Sequence, residues 1–176
     1  IAIRHKDGRR EQVQTSEPRM LDTHEMLRVV SDFAHATSCA KSAGFDGVEV
    51  HAANSYLINQ FLSGSLNTRD DAWGGSIENR CKLVLEILQD IIPIWGSGRV
   101  GIRLSPYGSF NDIADSDPQK LFSYLINALN PFNLCYLHLI EPRATTAGGS
   151  DQLLADAPRT GRLFRPLFAG KVVLAG

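Results

Sequence analysis

Apolar residues recur at helical spacing in long stretches of the chain, and each stretch leads into a short apolar run. This spacing predicts helices at 22–44, 76–93 and 117–129, with a weaker one at 159–168. The short runs predict strands at 48–50, 100–104, 134–140 and 171–174. Helices and strands in this alternating order are typical of a parallel sheet with crossover helices. The pattern therefore predicts an α/β fold, either a doubly wound sheet or part of a (βα)8 TIM barrel.

Three predicted helices begin at residues that commonly cap helices. Asp22 and Glu25 form a capping-box pattern, Ser76 can cap the second helix, and Asp117 precedes a proline at the start of the third. Before them, the chain is polar and contains an Asp-Gly turn signal. We therefore expect a loop or hairpin over residues 1–20, followed by helix and strand repeats over 21–176.

Composition and length narrow the possible functions. The 176 residues are 43% apolar and 21% charged, with a net charge of −1. This balance argues against binding to nucleic acid, and the apolar stretch at 83–94 is too short for the ~20 residues of a membrane span. A complete (βα)8 barrel needs about 250 residues. Any barrel in this chain is therefore partial, with about four parallel strands and their helices, and forms one domain over 1–176.

The chain has three cysteines, Cys39, Cys81 and Cys135, without C-x-x-C spacing. An odd number favours free thiols over a disulfide framework, and we expect each thiol to be buried as a small apolar group. Free thiols indicate a reducing compartment, so the predicted location is cytoplasmic. The first residues lack the order of a secretion signal and do not begin with Met, which hints at processing or an incomplete chain.

A long polar connection, 51–76, follows the first predicted strand, and the carboxyl ends of such strands commonly carry active sites. His51, Asn54 and Tyr56 open it. If a helical turn begins at 52, His51 and Asn54 point to one side and suit an oxygen that gains negative charge. Tyrosine phenols donate protons near neutral pH, so Tyr56 is a candidate acid. The alternative is structural: a histidine satisfied by the backbone, and an asparagine that caps a turn.

Arg103 interrupts an otherwise apolar strand, where a guanidinium must be paired or must face a ligand. It could contact an anionic or electron-rich cofactor, or it could form a buried ion pair with Glu49. The charged, glycine-containing segment 67–80 could cradle a phosphate, although a structural clamp of alternating charges is favoured. No spacing around His138 supports a zinc site, and no G-x-G-x-x-G motif follows a strand.

Three runs, 44–62, 67–80 and 101–106, closely resemble the old yellow enzyme family of FMN-dependent ene-reductases. The resemblance begins more loosely at Pro18 and extends to Gly176, so it covers most of the chain. It implies a (βα)8 barrel in which the four predicted strands are the fourth to seventh.

The resemblance also implies roles for individual residues. His51 and Asn54 would bind the carbonyl oxygen of an α,β-unsaturated substrate, and Tyr56 would protonate its Cα. Arg103 would lie beside the N1/O2 edge of FMN, and Gly176 would begin the loop that holds the FMN phosphate. The implied enzyme reduces FMN with NADPH and passes hydride from flavin N5 to Cβ of a small-molecule enone. The nicotinamide would bind over the flavin without a Rossmann domain.

No part of the sequence resembles the first three strands of that barrel or its eighth strand. A barrel without half of its strands has two open sheet edges. We therefore expect a longer chain, or a fragment that needs strands from the same or another chain to bind FMN well. One competing hypothesis is a non-catalytic half-barrel or interaction module that does not bind flavin alone. Another is a different barrel enzyme with a sugar or phosphate ligand.

Overall fold

The computed structural model describes residues 2–13, 16–109, 113–142 and 157–176. It begins with an antiparallel hairpin of β1 (Ala2–Arg4) and β2 (Arg10–Gln12). The later elements are α1 (Thr23–Ser42), β3 (Val48–Ala52), α2 (Leu57–Leu62), α3 (Ile77–Trp95), β4 (Val100–Leu104), α4 (Pro118–Leu129), β5 (Tyr136–Ile140), α5 (Thr160–Phe164) and β6 (Val172–Ala175). None of the described helices is both long and apolar enough to cross a membrane.

The helices begin where the capping residues predict. The Glu25 carboxylate accepts a hydrogen bond from the Asp22 N–H at 2.8 Å. Ser76 Oγ accepts from the Asn79 N–H at 3.2 Å, which caps α3. The side chain of Asp117 caps α4 in the same way. Side chains that satisfy the first N–H groups of a helix fix its starting residue.

Strands β3 to β6 form one parallel sheet, in which β4, β5 and β6 each pair with the strand before them in the chain. A doubly wound sheet reverses its strand order at a switch point, whereas a barrel adds its strands in sequence. The order β3-β4-β5-β6 contains no reversal over the described residues. The sheet is therefore arranged as a segment of a barrel.

The sheet has two different faces. On one side, its side chains join those of the helices in a single buried cluster, whose strand members are Val50, Ala52, Val100, Ile102, Leu104, Leu137 and Leu139. The alternating residues His51, Arg103 and His138 are register partners on β3, β4 and β5. Because successive strand residues point to opposite sides, these three lie on the face away from the helices, here called the open face.

On the open face, Tyr136 of β5 crosses over β4 to reach β3. A Cβ atom at Gly101 would lie 2.5 Å from Cζ of the Tyr136 ring, so the crossing requires glycine there. The phenol hydrogen-bonds to Glu49, and burial, followed by this bond, raises the pKa of Tyr136. Glu49 also accepts a hydrogen bond from Nδ1 of His138 at 2.9 Å. The Glu49 carboxylate is thus held by two side chains of β5.

The prediction that all three cysteines are buried is wrong for Cys39. Cys81 is fully buried in α3, and burial raises the pKa of its thiol to about 12. Cys135 is half-buried, whereas Cys39 is exposed on α1 and its Sγ lies 3.5 Å from Nε2 of His35. Helical spacing placed Cys39 near the apolar stripe of α1, but that helix buries only a narrow strip of its surface.

Candidate active site

The chain forms a left-handed turn directly after β3. Asn54 and Ser55 have φ angles of 54° and 64°, a region that non-glycine residues rarely adopt. No helical turn begins at residue 52, because β3 continues to Ala52 and α2 begins only at Leu57, so the condition under which His51 and Asn54 would point to one side is not met. The backbone N–H groups of Asn54 and Ser55 donate to side-chain oxygens, which holds this turn in place of a helix.

His51 and Tyr56 lie together at the end of β3. Their ring centroids are 5.0 Å apart, with an interplanar angle of 51°. Tyr56 directly precedes α2, but its side chain forms no capping hydrogen bond. The residue is 57% exposed, so its phenol is accessible from solvent. The turn thus places a phenol beside the imidazole at the carboxyl end of the sheet, where it can meet a ligand.

The buried Nδ1 atom of His51 has no hydrogen-bond partner among the described residues. A histidine satisfied by the backbone through Nδ1 is therefore not what the structure shows. Burial and, next, the charge of Arg103 lower the pKa of His51, whereas Glu49 raises it. The net decrease favours a neutral ring at pH 7, which has one N–H donor and one acceptor nitrogen.

Arg103 lies opposite His51 in the strand register. Its Nε atom is buried without a partner, and none of the described carboxylates forms an ion pair with it. The alternative interpretation, an ion pair with Glu49, does not hold, because Glu49 binds His138 and Tyr136 instead. A guanidinium with unused donors on a half-buried surface can bind an electron-rich or anionic group.

Gly176 follows β6 at the same edge of the sheet, two strands away from β4. A Cβ atom at this position would lie 2.5 Å from Cβ of Glu141, so only glycine fits beside that side chain. The Glu141 carboxylate accepts from the N–H groups of Thr160 and Gly161, each at 2.8 Å. The structure brings His51, Tyr56 and Arg103 together and places Gly176 farther along the edge.

The segment 67–80 forms a structural clamp beneath this edge. Arg69 bonds to the Asp71 carboxylate and to the Leu21 carbonyl oxygen, which joins the segment to the start of α1. Asp71 also accepts from the Trp73 N–H at 3.0 Å. Arg80 forms a buried ion pair with Asp115. These contacts use the charges within the fold, as the clamp hypothesis predicts, and do not favour a phosphate cradle.

Two residues that support the turn escaped the sequence analysis. Ser105 Oγ accepts from the Asn54 N–H at 2.9 Å, and Asn59 Oδ1 accepts from the Ser55 N–H at 2.9 Å. Ser105 directly follows β4, so its place at the carboxyl end of a predicted strand was the available signal. Nothing in the spacing indicates the contact of Asn59, because it depends on the left-handed turn.

The open face has features that suit a flat, electron-rich cofactor. Two adjacent half-buried side chains, His51 and Arg103, each have a buried nitrogen atom without a hydrogen-bond partner in the described part of the chain. Buried polar atoms normally have hydrogen-bond partners. The lack of partners for these two nitrogen atoms therefore indicates a group that the protein binds. A flavin ring, which has several carbonyl oxygens and ring nitrogens, fits these donors.

Comparison with protein families decides the broader assignment. Residues 3–154 match the family described as NADH:flavin oxidoreductase / NADH oxidase. The chain belongs to this family. The match confirms the resemblance to old yellow enzymes that the sequence runs indicated, and it includes the strands that carry His51 and Arg103.

Among the relatives of the chain is 12-oxophytodienoate reductase 2 of Arabidopsis thaliana, which is 39% identical over 166 residues. The alignment covers 94% of this chain and 43% of that protein. The chain therefore spans less than half the length of this relative.

Solved structures of related proteins support the same family assignment. Morphinone reductase in complex with tetrahydroNAD is 38% identical and superposes with a TM-score of 0.85, over 99% of this chain and 45% of that one. The old yellow enzyme homologue from Zymomonas mobilis is 32% identical, again with a TM-score of 0.85, over 99% of this chain and 47% of that one. These likenesses confirm the partial (βα) barrel and exclude the doubly wound alternative.

Proposed function

We propose that the protein is an FMN-dependent ene-reductase, which reduces the C=C bond of α,β-unsaturated carbonyl compounds with NADPH. The observation that carries the proposal is the pair of buried nitrogen atoms without partners, His51 Nδ1 and Arg103 Nε, beside the exposed phenol of Tyr56. Neutral and cationic donors at the mouth of a barrel suit a flavin and a carbonyl substrate. The flavin family match supports the same chemistry.

Each residue has a distinct role in this proposal. The Arg103 guanidinium binds the N1/O2 edge of the flavin, and Gly176 lets the backbone approach the FMN phosphate. The His51 ring and the Asn54 amide donate hydrogen bonds to the substrate carbonyl oxygen. This orients the alkene and stabilises the negative charge that the oxygen gains. Bound FMN supplies hydride transfer between the nicotinamide and the substrate.

Tyr56 is the catalytic acid in this proposal. Its hydroxyl gives a proton to Cα of the substrate as negative charge develops on the carbonyl system. Exposure of the residue leaves the phenol open to a substrate above the sheet. The ring lies against His51, so the proton donor and the carbonyl donor face one substrate from adjacent positions.

The same proposal covers the assembly and location of the protein. Residues 1–176 form one partial-barrel domain, and further barrel strands pair with the open edges of β3 and β6. Each of these strands has one neighbour in the described sheet, which leaves a row of backbone groups available for pairing. Free cysteines and the nicotinamide-dependent reaction favour a cytoplasmic location.

Titration of the purified protein with FMN tests the proposal. We expect quenching of flavin fluorescence as FMN binds, bleaching of flavin absorbance when NADPH is added without oxygen, and recovery of absorbance when 2-cyclohexen-1-one follows. A parallel series with NADH measures the preference for NADPH.

Failure to bind FMN would overturn the proposal and favour the non-catalytic half-barrel. Bleaching by NADPH without recovery by the enone would instead contradict the assigned substrate class. Cyclohexanone, which has the carbonyl group but no C=C bond, serves as the matched control, and it should leave the flavin reduced.

A further inference from the structure

The left-handed turn after β3 depends on two side chains from other elements. The Asn54 N–H donates to Ser105 Oγ, just beyond β4, and the Ser55 N–H donates to Oδ1 of Asn59 in α2, each at 2.9 Å. Ser105 Oγ in turn donates to Asn59 Oδ1 at 3.5 Å. Two consecutive backbone donors are therefore held by two acceptors that also contact each other.

This arrangement is buried as well as connected. Ser105 and Asn59 are each 4% exposed, and Ser55 is 3% exposed. A backbone N–H in such surroundings is costly to leave without a partner. Water cannot readily replace either acceptor, so the two side chains decide whether the turn keeps its shape.

The turn has an unusual composition for its conformation. Glycine adopts positive φ angles without strain, yet Asn54 and Ser55 occupy this region consecutively. Such strain persists only where the surrounding structure determines it. A turn that served only to reverse the chain could use glycine. Asparagine at position 54 instead gives this turn a polar amide that glycine lacks.

We propose that Ser105 and Asn59 are positioning residues, which hold the Asn54 amide in the direction that binds the substrate carbonyl oxygen. The inference rests on the proposed function, in which Asn54 is one of the two carbonyl donors. Without the two acceptors, the backbone of Asn54 relaxes toward ordinary negative φ angles, and this rotates its Cα–Cβ bond away from the substrate.

The same contact connects the substrate and cofactor sides of the site. Ser105 follows Arg103 by two residues and lies directly after the end of β4. One segment of chain therefore fixes the guanidinium that faces the flavin and the hydroxyl that supports the substrate donor. Rigid elements locate reacting groups more accurately than isolated loops do.

The experiment compares Ser105→Ala with Ser105→Thr, which retains the hydroxyl, in the complete protein. Ser63→Ala is the matched control, because Ser63 is a 3% exposed serine whose Oγ donates to the Ala114 carbonyl oxygen instead. The measurements are the inhibition constant of cyclohexanone, KM and kcat for 2-cyclohexen-1-one, FMN affinity, and hydrogen exchange of the amides at 54 and 55.

We expect Ser105→Ala to weaken cyclohexanone binding and raise KM by about tenfold, the effect of ~1.4 kcal/mol. Exchange at 54 and 55 should become faster, while FMN affinity and flavin reduction by NADPH stay unchanged. Ser105→Thr and Ser63→Ala should resemble the unsubstituted protein in all four measurements.

Unchanged ketone affinity in Ser105→Ala, or unchanged exchange at 54 and 55, would overturn the positioning role. An equal loss of FMN and ketone affinity would also overturn it, because that indicates general damage to the site. If the unsubstituted protein binds FMN but neither binds cyclohexanone nor reduces the enone, the proposed function fails, and the positioning role toward a carbonyl fails with it. The exchange data still show whether Ser105 holds the turn.

Discussion

The two faces of the parallel sheet use the same strands for opposite purposes. Val50, Ile102 and Leu137 are register partners that are almost completely buried against the helices. One residue farther along each strand, the open face carries His51, Arg103 and His138. The first set is satisfied by packing alone, whereas His51 and Arg103 have polar atoms without partners in the described structure.

Neighbouring residues of one strand thus contribute to different properties, one to stability and the next to binding or catalysis. Burial of apolar side chains stabilises the fold by about 25 cal/mol per Å². Buried polar atoms without partners oppose folding, and those of His51 and Arg103 lie on the face where the proposed cofactor and substrate bind. We therefore expect substitutions on the helix side to change the free energy of unfolding. Substitutions on the open face and at its edge should change binding and catalysis.

The largest effect is expected from Tyr56→Phe at the edge of the open face. Loss of a general acid slows its step by about 10²–10⁴-fold. Stopped-flow measurement should show slow reoxidation of reduced flavin by 2-cyclohexen-1-one, with flavin reduction by NADPH unchanged. Tyr124→Phe, on α4 and 37% exposed, is the control and should affect neither step. Equal slowing of both steps in Tyr56→Phe would contradict its role as acid.

Ile102→Ala probes the helix side. The side chain is 0% exposed, and truncation of such residues commonly costs about 2–5 kcal/mol of unfolding free energy. Urea denaturation measures the loss. Val173→Ala is the comparison on the open face, since Val173 is 44% exposed and lies in register with His138. It should change stability by less than about 0.5 kcal/mol. Similar losses in the two variants would remove the distinction between the faces.

Arg103→Leu should weaken FMN binding without lowering stability, the opposite of the effect expected for Ile102→Ala. We expect FMN to bind about 10–100-fold more weakly, the range for a hydrogen bond to a charged group. The free energy of unfolding should stay constant or increase, because the variant removes a buried donor without a partner. Arg99→Leu is the control, since Arg99 bonds to the Asp46 carbonyl oxygen before β4 begins. FMN titration and urea denaturation of both variants test the expectation, and strong destabilisation by Arg103→Leu would refute it.

The smallest expected effect is on the pH dependence of the free energy of unfolding. Burial and the Arg103 charge lower the pKa of His51 below its model-peptide value of 6.5. At pH values between the lowered pKa of the folded chain and the ordinary pKa of the unfolded chain, the unfolded chain binds a proton that the folded chain does not. The free energy of unfolding therefore falls as the pH drops through this range. Urea denaturation at pH 7.5, 6.5 and 5.5 should show less pH dependence in His51→Gln than in the unsubstituted protein. Identical pH dependence would contradict the contribution of His51.

Periodicity and capping residues predicted most of the architecture. The positions of Ser76 and Asp117 located two helix starts, because caps act on backbone groups a few residues away. The turn at Asn54 could not be predicted in this way, since its conformation depends on Ser105, 51 residues away. The pairing of Glu49 with His138 is more remote still, since the two residues are 89 positions apart. Periodicity also left the choice between sheet and barrel open until strand order settled it.

The sequential strand order also affects how the chain folds. Strands β4, β5 and β6 each pair with the strand that precedes them, so each of these pairings closes a single crossover connection. Register partners such as Val48 and Val100 are 52 residues apart, and the entropic cost of closing such a loop is smaller than that of pairing strands from opposite ends of the sheet. During synthesis, β4 can pair with β3 as soon as it leaves the ribosome, and β5 and β6 can follow in turn. The sheet can therefore grow one strand at a time from its first edge.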